Sequence, residues 1–239
     1  MIMKLSVVVP AYNEEECILS TLRKIFQYLQ QKGMDYEVIV VDDGSTDNTK
    51  KLVMSVDNAR LRLLENQTNL GKGAAVKKGM LKAQGDLLLF LDADYSTSIN
   101  ELDRFLPKIE EGYDIVIGSR GLKTSKIEVS QSKMKVLKGR LGNQLIQLLA
   151  VSGIKDTQCG FKLFTKKCLP IFKKQTLNKW GFDFELLFIA RKLNLKIFEH
   201  PISWANNPFS KVKTIDYFVT LLDLIKIRIN DIKKIYDKN

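Results

Sequence analysis

Four short runs of this 239-residue chain, LSVVV (5–9), YEVIVV (36–41), DLLLFL (86–91) and DIVIG (114–118), are apolar almost throughout rather than on alternate residues. A strand that is apolar on both faces must be covered on both, which is the habit of parallel sheets. Helical segments separate these runs. Glu14 to Gln31 carries Ile18, Leu22, Ile25 and Leu29 at helical spacing, and further helices are expected near 47–56, 73–83 and 99–111, with a short strand near 60–64. The alternation predicts an α/β fold with a Rossmann-like, mainly parallel sheet covered by helices on both faces. A chain 45% hydrophobic at this length supports one large core. The expected organisation is one domain over 1–210, divided near 118/119, followed by an amphipathic C-terminal helix within 211–239.

Ligands of such sheets lie beyond the carboxyl ends of the strands. The segments that follow the strands are PAYNEEE, DDGSTD, NQTNLGKG and DADYSTS, so acidic and polar residues gather along one edge. Each has a local explanation in a helix cap or a turn. Together they mark a site. In an extended segment residues i and i+2 point to one side, so Asp92 and Asp94 can face the same ligand. Two carboxylates at the end of a core strand repel each other and are costly to bury. A divalent cation such as Mg2+ or Mn2+ reverses that cost, because it prefers hard carboxylate and phosphate oxygens.

The ordered set VVVPAYNEE, VIVVDDGSTD, NLGKGAA, FLDADYS and IGSR resembles the family 2 inverting glycosyltransferases of the GT-A fold. In the second half, IKDTQCGFKLF (154–164) and KWGFDFELLFIARKLNLKIFEHPISW resemble the dolichyl- and polyprenyl-phosphate β-glucosyltransferase branch, which is related to the dolichyl-phosphate mannosyl synthases. The resemblance implies a nucleotide-binding half (1–118) and an acceptor half (119–210). It places Tyr12, Glu14 and Asp43 at the nucleotide, over a floor of Pro10 and Ala11. Lys72 then approaches the nucleotide, Asp92 lies near ribose or sugar, and Asp94 is the principal metal ligand. Tyr95 and Ser96 stand where the mannosyl synthases usually have a Leu-Gln pair, so no metal contact is carried over there.

The implied reaction is inverting hexose transfer from a nucleotide-sugar, UDP-glucose favoured, to a polyprenyl or dolichyl monophosphate. GDP-mannose as donor, or a glycan hydroxyl as acceptor, remains the alternative. Asp183 falls at the family's catalytic carboxylate, with Glu185 two residues on. A phosphate monoester is largely ionised at neutral pH, its second pKa being about 6, so Asp183 either acts as a base or orients the sugar. Arg120 is expected to meet a phosphate through its guanidinium fork. Lys162 is expected at phosphate from a loop over 156–162, and Lys135 and Arg140 at the acceptor. Cys159 is not expected to be a nucleophile, because inversion needs no covalent intermediate. His200 reads as a packing residue, and Trp180 and Trp204 as sugar-stacking or core.

Charge is divided unevenly. Residues 1–118 hold 14 basic against 18 acidic side chains, net −4, and residues 119–239 hold 24 against 9, net +15. The basic half suits an anionic partner. There is no GxGxxG after the first strand, no GxxxxGK[ST] and no interleaving of aromatic and basic residues, so nucleic acid is not the expected partner. Two amphipathic segments point to an anionic membrane instead. One carries Leu141, Leu145, Leu148 and Leu149 after a basic run, and the other carries Ile215, Phe218, Val219, Leu222, Ile225, Ile229 and Ile232 among Lys226, Arg228, Lys233 and Lys234. Each can lie in the membrane interface or pack on the domain. No stretch reaches about 18 apolar residues, the N-terminus reads as a strand rather than a signal peptide, and Cys17, Cys159 and Cys168 lack disulfide spacing. The expected location is cytoplasmic, peripheral to the membrane.

Overall fold

The computed structural model describes residues 3–129, 142–205 and 215–237. The elements in chain order are β1 (Leu5–Ala11), α1 (Ile18–Gln31), β2 (Tyr36–Asp42), α2 (Thr49–Met54), β3 (Leu61–Glu65), α3 (Lys72–Lys82), β4 (Leu87–Leu91), α4 (Leu102–Glu110), β5 (Ile115–Ser119), β6 (Lys126–Val129), α5 (142–149), β7 (Phe161–Thr165), α6 (Leu169–Lys174), α7 (Phe182–Lys192), β8 (Ile197–Pro201), β9 (Ser203–Ala205) and α8 (Ile215–Ile232). Among the described residues seven strands form the central sheet in the order β3-β2-β1-β4-β7-β5-β8, and β6 pairs with β9 beside it. Every pair in the central sheet is parallel except those made by β7, which runs antiparallel to β4 and β5.

The expected strands are present, each buried along its length at β1, β2, β4 and β5. Strand β1 continues through Pro10 rather than stopping before it. Its pairing with β4 ends at Val8, so the proline's missing N–H removes no ladder bond on that side. Helix α1 starts at Ile18, four residues later than the periodicity suggests, because Asn13 adopts a left-handed conformation (φ 53°) and residues 14–17 form a turn. The loop expected over 156–162 ends two residues early, because Phe161 and Lys162 belong to strand β7. Lys162, the second residue of FKLFT, interrupts an otherwise apolar run, yet all of Phe161–Phe164 is buried.

Two apolar layers cover the sheet. One joins side chains of β1, β2 and β4 to α1 and α4 through Leu22, Ile25, Leu29, Leu102 and Phe105. The other joins the opposite face to α3, α6, α7 and α8 through Val76, Met80, Phe172, Phe182 and Ile227. Helix α8 is fastened to this layer by Leu224 and Ile227, and the turn after it by Tyr236. The Tyr236 hydroxyl donates to Glu185 at 2.8 Å, and Asn230 Nδ2 donates to Thr176 Oγ1 at 3.0 Å. The sheet thus draws strands from both halves of the sequence, and its carboxyl edge is where their loops meet.

Candidate active site

The loops after β1 and β2 close on each other. Asn13 Oδ1 accepts from the Thr46 N–H at 2.8 Å, and the Asn13 N–H donates to Ser45 Oγ at 2.9 Å. The Glu14 N–H donates to Thr49 Oγ1 at 2.7 Å, and Glu15 accepts from the Asn48 backbone and side chain at 3.0 and 2.9 Å. Much of the polarity of PAYNEEE and DDGSTD therefore ties these two loops to each other. Pro10 and Ala11 are buried at the end of β1, where a floor was expected, with Tyr12 half-buried next to them.

Asp42 and Asp43 divide the work differently from the sequence expectation. Asp43 accepts from Asn66 Nδ2 at 2.7 Å, the Leu70 N–H at 3.0 Å and the Gly71 N–H at 2.7 Å. Its oxygens hold the 66–71 loop, which gives Asp43 a bracing role beside the nucleotide contact expected of it. Asp42, which ends β2, accepts only the Ser45 N–H at 3.2 Å, and its Oδ1 is buried with no hydrogen-bond partner among the described residues. A buried acceptor left unmatched is costly and points to an absent donor. Adjacent carboxylates look alike in sequence; only the strand register, in which Asp42 lies opposite Ala11, separates them.

At the centre, the ends of β4, α3 and α7 bring opposite charges together. Lys72, the first residue of α3, places Nζ 2.7 Å from Asp92 Oδ1 and over the rings of Phe90 and Trp180 at 5.2 and 5.4 Å. Burial opposes its charge, but Asp92, Asp183 and Asp94 hold the ammonium above its ordinary pKa. Asp92 lies flat against Gly160, where a Cβ would come within 1.8 Å of its carboxylate, so only glycine admits this approach. Asp94 accepts from the Ser96 N–H at 2.9 Å inside a turn whose next residue, Tyr95, is left-handed (φ 55°). Burial, then the Asp92 charge, push the Asp94 carboxyl upward.

Asp183, in the first turn of α7, is buried and ion-paired with Lys162 of β7, whose Nζ also donates to the Cys159 carbonyl at 2.6 Å. Burial raises the Asp183 carboxyl while the Lys162 and Lys72 ammoniums oppose the rise. Lys162 has no exposed surface, so it braces Asp183 and does not reach out to a phosphate. Glu185 faces away from this centre. It accepts from the Thr176 N–H and hydroxyl, the Leu177 N–H and the Tyr236 hydroxyl, and so anchors the C-terminal segment.

Arg120 follows β5 and forms a two-pronged pair with Asp156, Nε to Oδ2 at 2.6 Å and Nη2 to Oδ1 at 2.8 Å, over the ring of Trp204 at 5.4 Å. With Asp156 taking the Nε N–H and one N–H of Nη2, the phosphate contact expected of the Arg120 fork falls to the remaining N–H groups of Nη1 and Nη2. Its side chain is one-third exposed at 32%. Glu14 accepts from the Cys17 thiol at 3.1 Å. Burial pushes the Cys159 thiol up to about 12, in keeping with its exclusion as a nucleophile. His200 packs against Phe105 and Phe198. Lys135 and Arg140 lie outside the described residues.

Residues 6–170 match the family described as Glycosyl transferase family 2. A dolichyl-phosphate beta-glucosyltransferase of Trichomonas vaginalis is 37% identical, over 94% of this chain and 72% of that protein. One of Dictyostelium discoideum is 38% identical over 94% and 73%, and the human enzyme of the same name is 33% identical over 87% and 69%. Among solved structures, glucosyl-3-phosphoglycerate synthase from Mycobacterium tuberculosis with Mn2+, UDP-glucose and phosphoglyceric acid superposes with a TM-score of 0.67 at 19% identity, over 94% of this chain and 79% of that one. Mannosyl-3-phosphoglycerate synthase from Rubrobacter xylanophilus gives 0.67 at 15% identity, over 97% and 74%.

Proposed function

This chain belongs to glycosyl transferase family 2 and has the family's GT-A fold, and we propose that it transfers glucose from UDP-glucose to a dolichyl or other polyprenyl monophosphate with inversion at the anomeric carbon. Its relatives of that activity match nearly its whole length. The observation that carries the choice of acceptor is the buried pair Asp183–Lys162. A hydroxyl acceptor needs a carboxylate free to take a proton, and Asp183 is committed to an ammonium. A phosphate monoester brings its own negative charge, with a second pKa of about 6. In this reading Asp183 orients the sugar or the attacking oxygen, and Lys162 holds Asp183 in place.

The unmatched Asp42 Oδ1 suits an N–H donor such as the imide of uracil, in a cleft bounded by Tyr12 and the loop that Asp43 secures. In this reading the diphosphate meets Lys72 and the guanidinium of Arg120, each already beside an acidic partner at this edge of the sheet. Asp94, with Asp92 beside it, fits a divalent cation of the Mg2+ or Mn2+ type. Its carboxyl is strained toward protonation by burial and a like charge, and such an ion keeps several waters and binds through one or two carboxylates plus phosphate oxygens. Once bound, the ion supplies charge neutralisation of the diphosphate leaving group. The Trp180 ring, 5.4 Å from the Lys72 ammonium, borders the same centre.

An acceptor anchored in a bilayer requires the protein at the membrane, and in this reading it acts there as a peripheral protein of the cytoplasmic face. No helix among the described residues is long and apolar enough to cross one. The test incubates the purified protein with labelled UDP-glucose, GDP-mannose or UDP-GlcNAc, each with and without polyprenyl phosphate and magnesium. Label is expected in the lipid phase only from UDP-glucose with both additions. Incorporation from GDP-mannose, or into a water-soluble glycan, would overturn the assignment.

A further inference from the structure

Helix α8 has more apolar surface than its packing uses. Leu224 and Ile227 face the core, at 2% and 0% exposure, yet Leu222, Ile225, Ile229 and Ile232 stand in solvent at 64%, 49%, 44% and 80%. These four, with Leu221, span an arc of about 100° around the helix. Exposed Lys226 and Lys233 border one edge of that arc, and exposed Arg228 borders the other. The stripe does not end with α8. Arg228 shares a groove with Leu148, Leu149 and Ser152, which extends the apolar surface to the exposed Leu145, Leu148 and Leu149 of α5.

The position of the stripe ties it to the reaction. Asp223 of α8 rests on Gly181, the residue that opens α7, so closely that a Cβ there would come within 2.3 Å of its carboxylate. The stripe therefore starts at Leu221 and Leu222, beside the turn that delivers Trp180 and Asp183, and runs away from the site. Apolar side chains scattered singly over a surface carry little meaning. A contiguous patch bordered by basic residues is the signature of a helix lying in a membrane interface.

We propose that the outward faces of α8 and α5 form a docking surface for an anionic bilayer, seating the apolar stripe among the acyl chains and Lys226, Arg228 and Lys233 against the headgroups. This deepens the lipid-acceptor reading and rests on it for its purpose, but the binding itself does not depend on turnover. Charge complementarity selects the occupant: the half of the chain that carries the stripe is net +15, a poor match for a second copy of the same surface. Docking along α8 leaves the α7 end of the site at the headgroup level, where the phosphate of a polyprenyl acceptor lies.

Cosedimentation of the full chain with phosphatidylcholine vesicles, and with vesicles in which phosphatidylglycerol replaces part of the phosphatidylcholine, tests this. Wild type should pellet with the anionic vesicles at low salt, and Ile225→Ser/Ile229→Ser should lower that partition roughly tenfold. Thermal melting should be unchanged, since both side chains are exposed. Lys226→Glu/Lys233→Glu should abolish the preference for anionic vesicles. A wild-type protein that stays in solution with both vesicles, or a serine variant that pellets like wild type, would overturn the proposal. So would a wild-type dimer that the serine variant converts to monomer without any vesicle binding. Binding without any glucosyl transfer would leave the docking surface standing and overturn the enzymatic reading instead.

Discussion

The two ends of the cleft use polar residues in opposite ways. On the side that we propose for the nucleotide, Asn13, Glu15, Ser45, Thr46 and Asp43 are engaged with neighbouring loops through ordinary hydrogen bonds. At the reacting centre, Lys72, Asp92, Asp94, Lys162 and Asp183 are opposed charges held in a buried or half-buried pocket. A wall made of hydrogen bonds keeps its shape whatever is bound. A cluster of alternating charges instead takes its final balance from a ligand that is itself charged. A single substitution should therefore be felt as looseness on the first side and as lost chemistry on the second.

The largest effect is expected at Asp94. Asp94→Asn should abolish turnover, and should weaken UDP binding only when a divalent cation is present, as calorimetry with and without magnesium would reveal. Wild-type UDP affinity that ignores the metal would erase this side of the contrast. Next comes Lys162→Met, which leaves Asp183 buried without its partner and should cost about 3–5 kcal/mol in chemical denaturation. Adding Asp183→Asn should recover much of that loss, a coupling that independent sites would not display.

Smaller effects sharpen the nucleotide side. Asp43→Ala removes an acceptor from three donors and should cost about 1–3 kcal/mol of stability, with UDP binding weakened indirectly through the 66–71 loop. Asp42→Asn should leave the melting temperature nearly unchanged while lowering UDP affinity directly. If the two variants exchange behaviours, Asp43 is the ligand contact and Asp42 the brace.

That pair also illustrates how far the sequence could be read. The strands β1, β2, β4 and β5 were legible because an unbroken apolar run has few other uses, and α1 because four apolar residues recur at helical spacing. Strand β7 was hidden by Lys162, whose charge only makes sense once Asp183, 21 residues away, is seen beside it. The charged residues of the edge were legible as a set, since every loop at one end of a parallel sheet faces the same space. Their partners were not. Arg120 meets Asp156 across 36 residues, and Glu185 meets Tyr236 across 51, contacts that no local pattern announces. The stripe on α8 was visible as periodicity, but which part of it faces solvent depended on where Leu224 and Ile227 found the core.

The central claim is that the acceptor, and not Asp183, supplies the charge for attack. The pH dependence of glucosyl transfer to polyprenyl phosphate, compared with transfer to the corresponding phosphonate, tests it most directly, because the phosphonate holds its second proton to higher pH while its shape is nearly the same. If the acceptor's own ionisation sets the rate, the acidic limb of the profile lies near pH 6 for the phosphate, where its second pKa of about 6 falls, and moves upward with the phosphonate. An acidic limb that stays at one pH for both acceptors would show that a group on the protein gives up its proton, and would contradict the account.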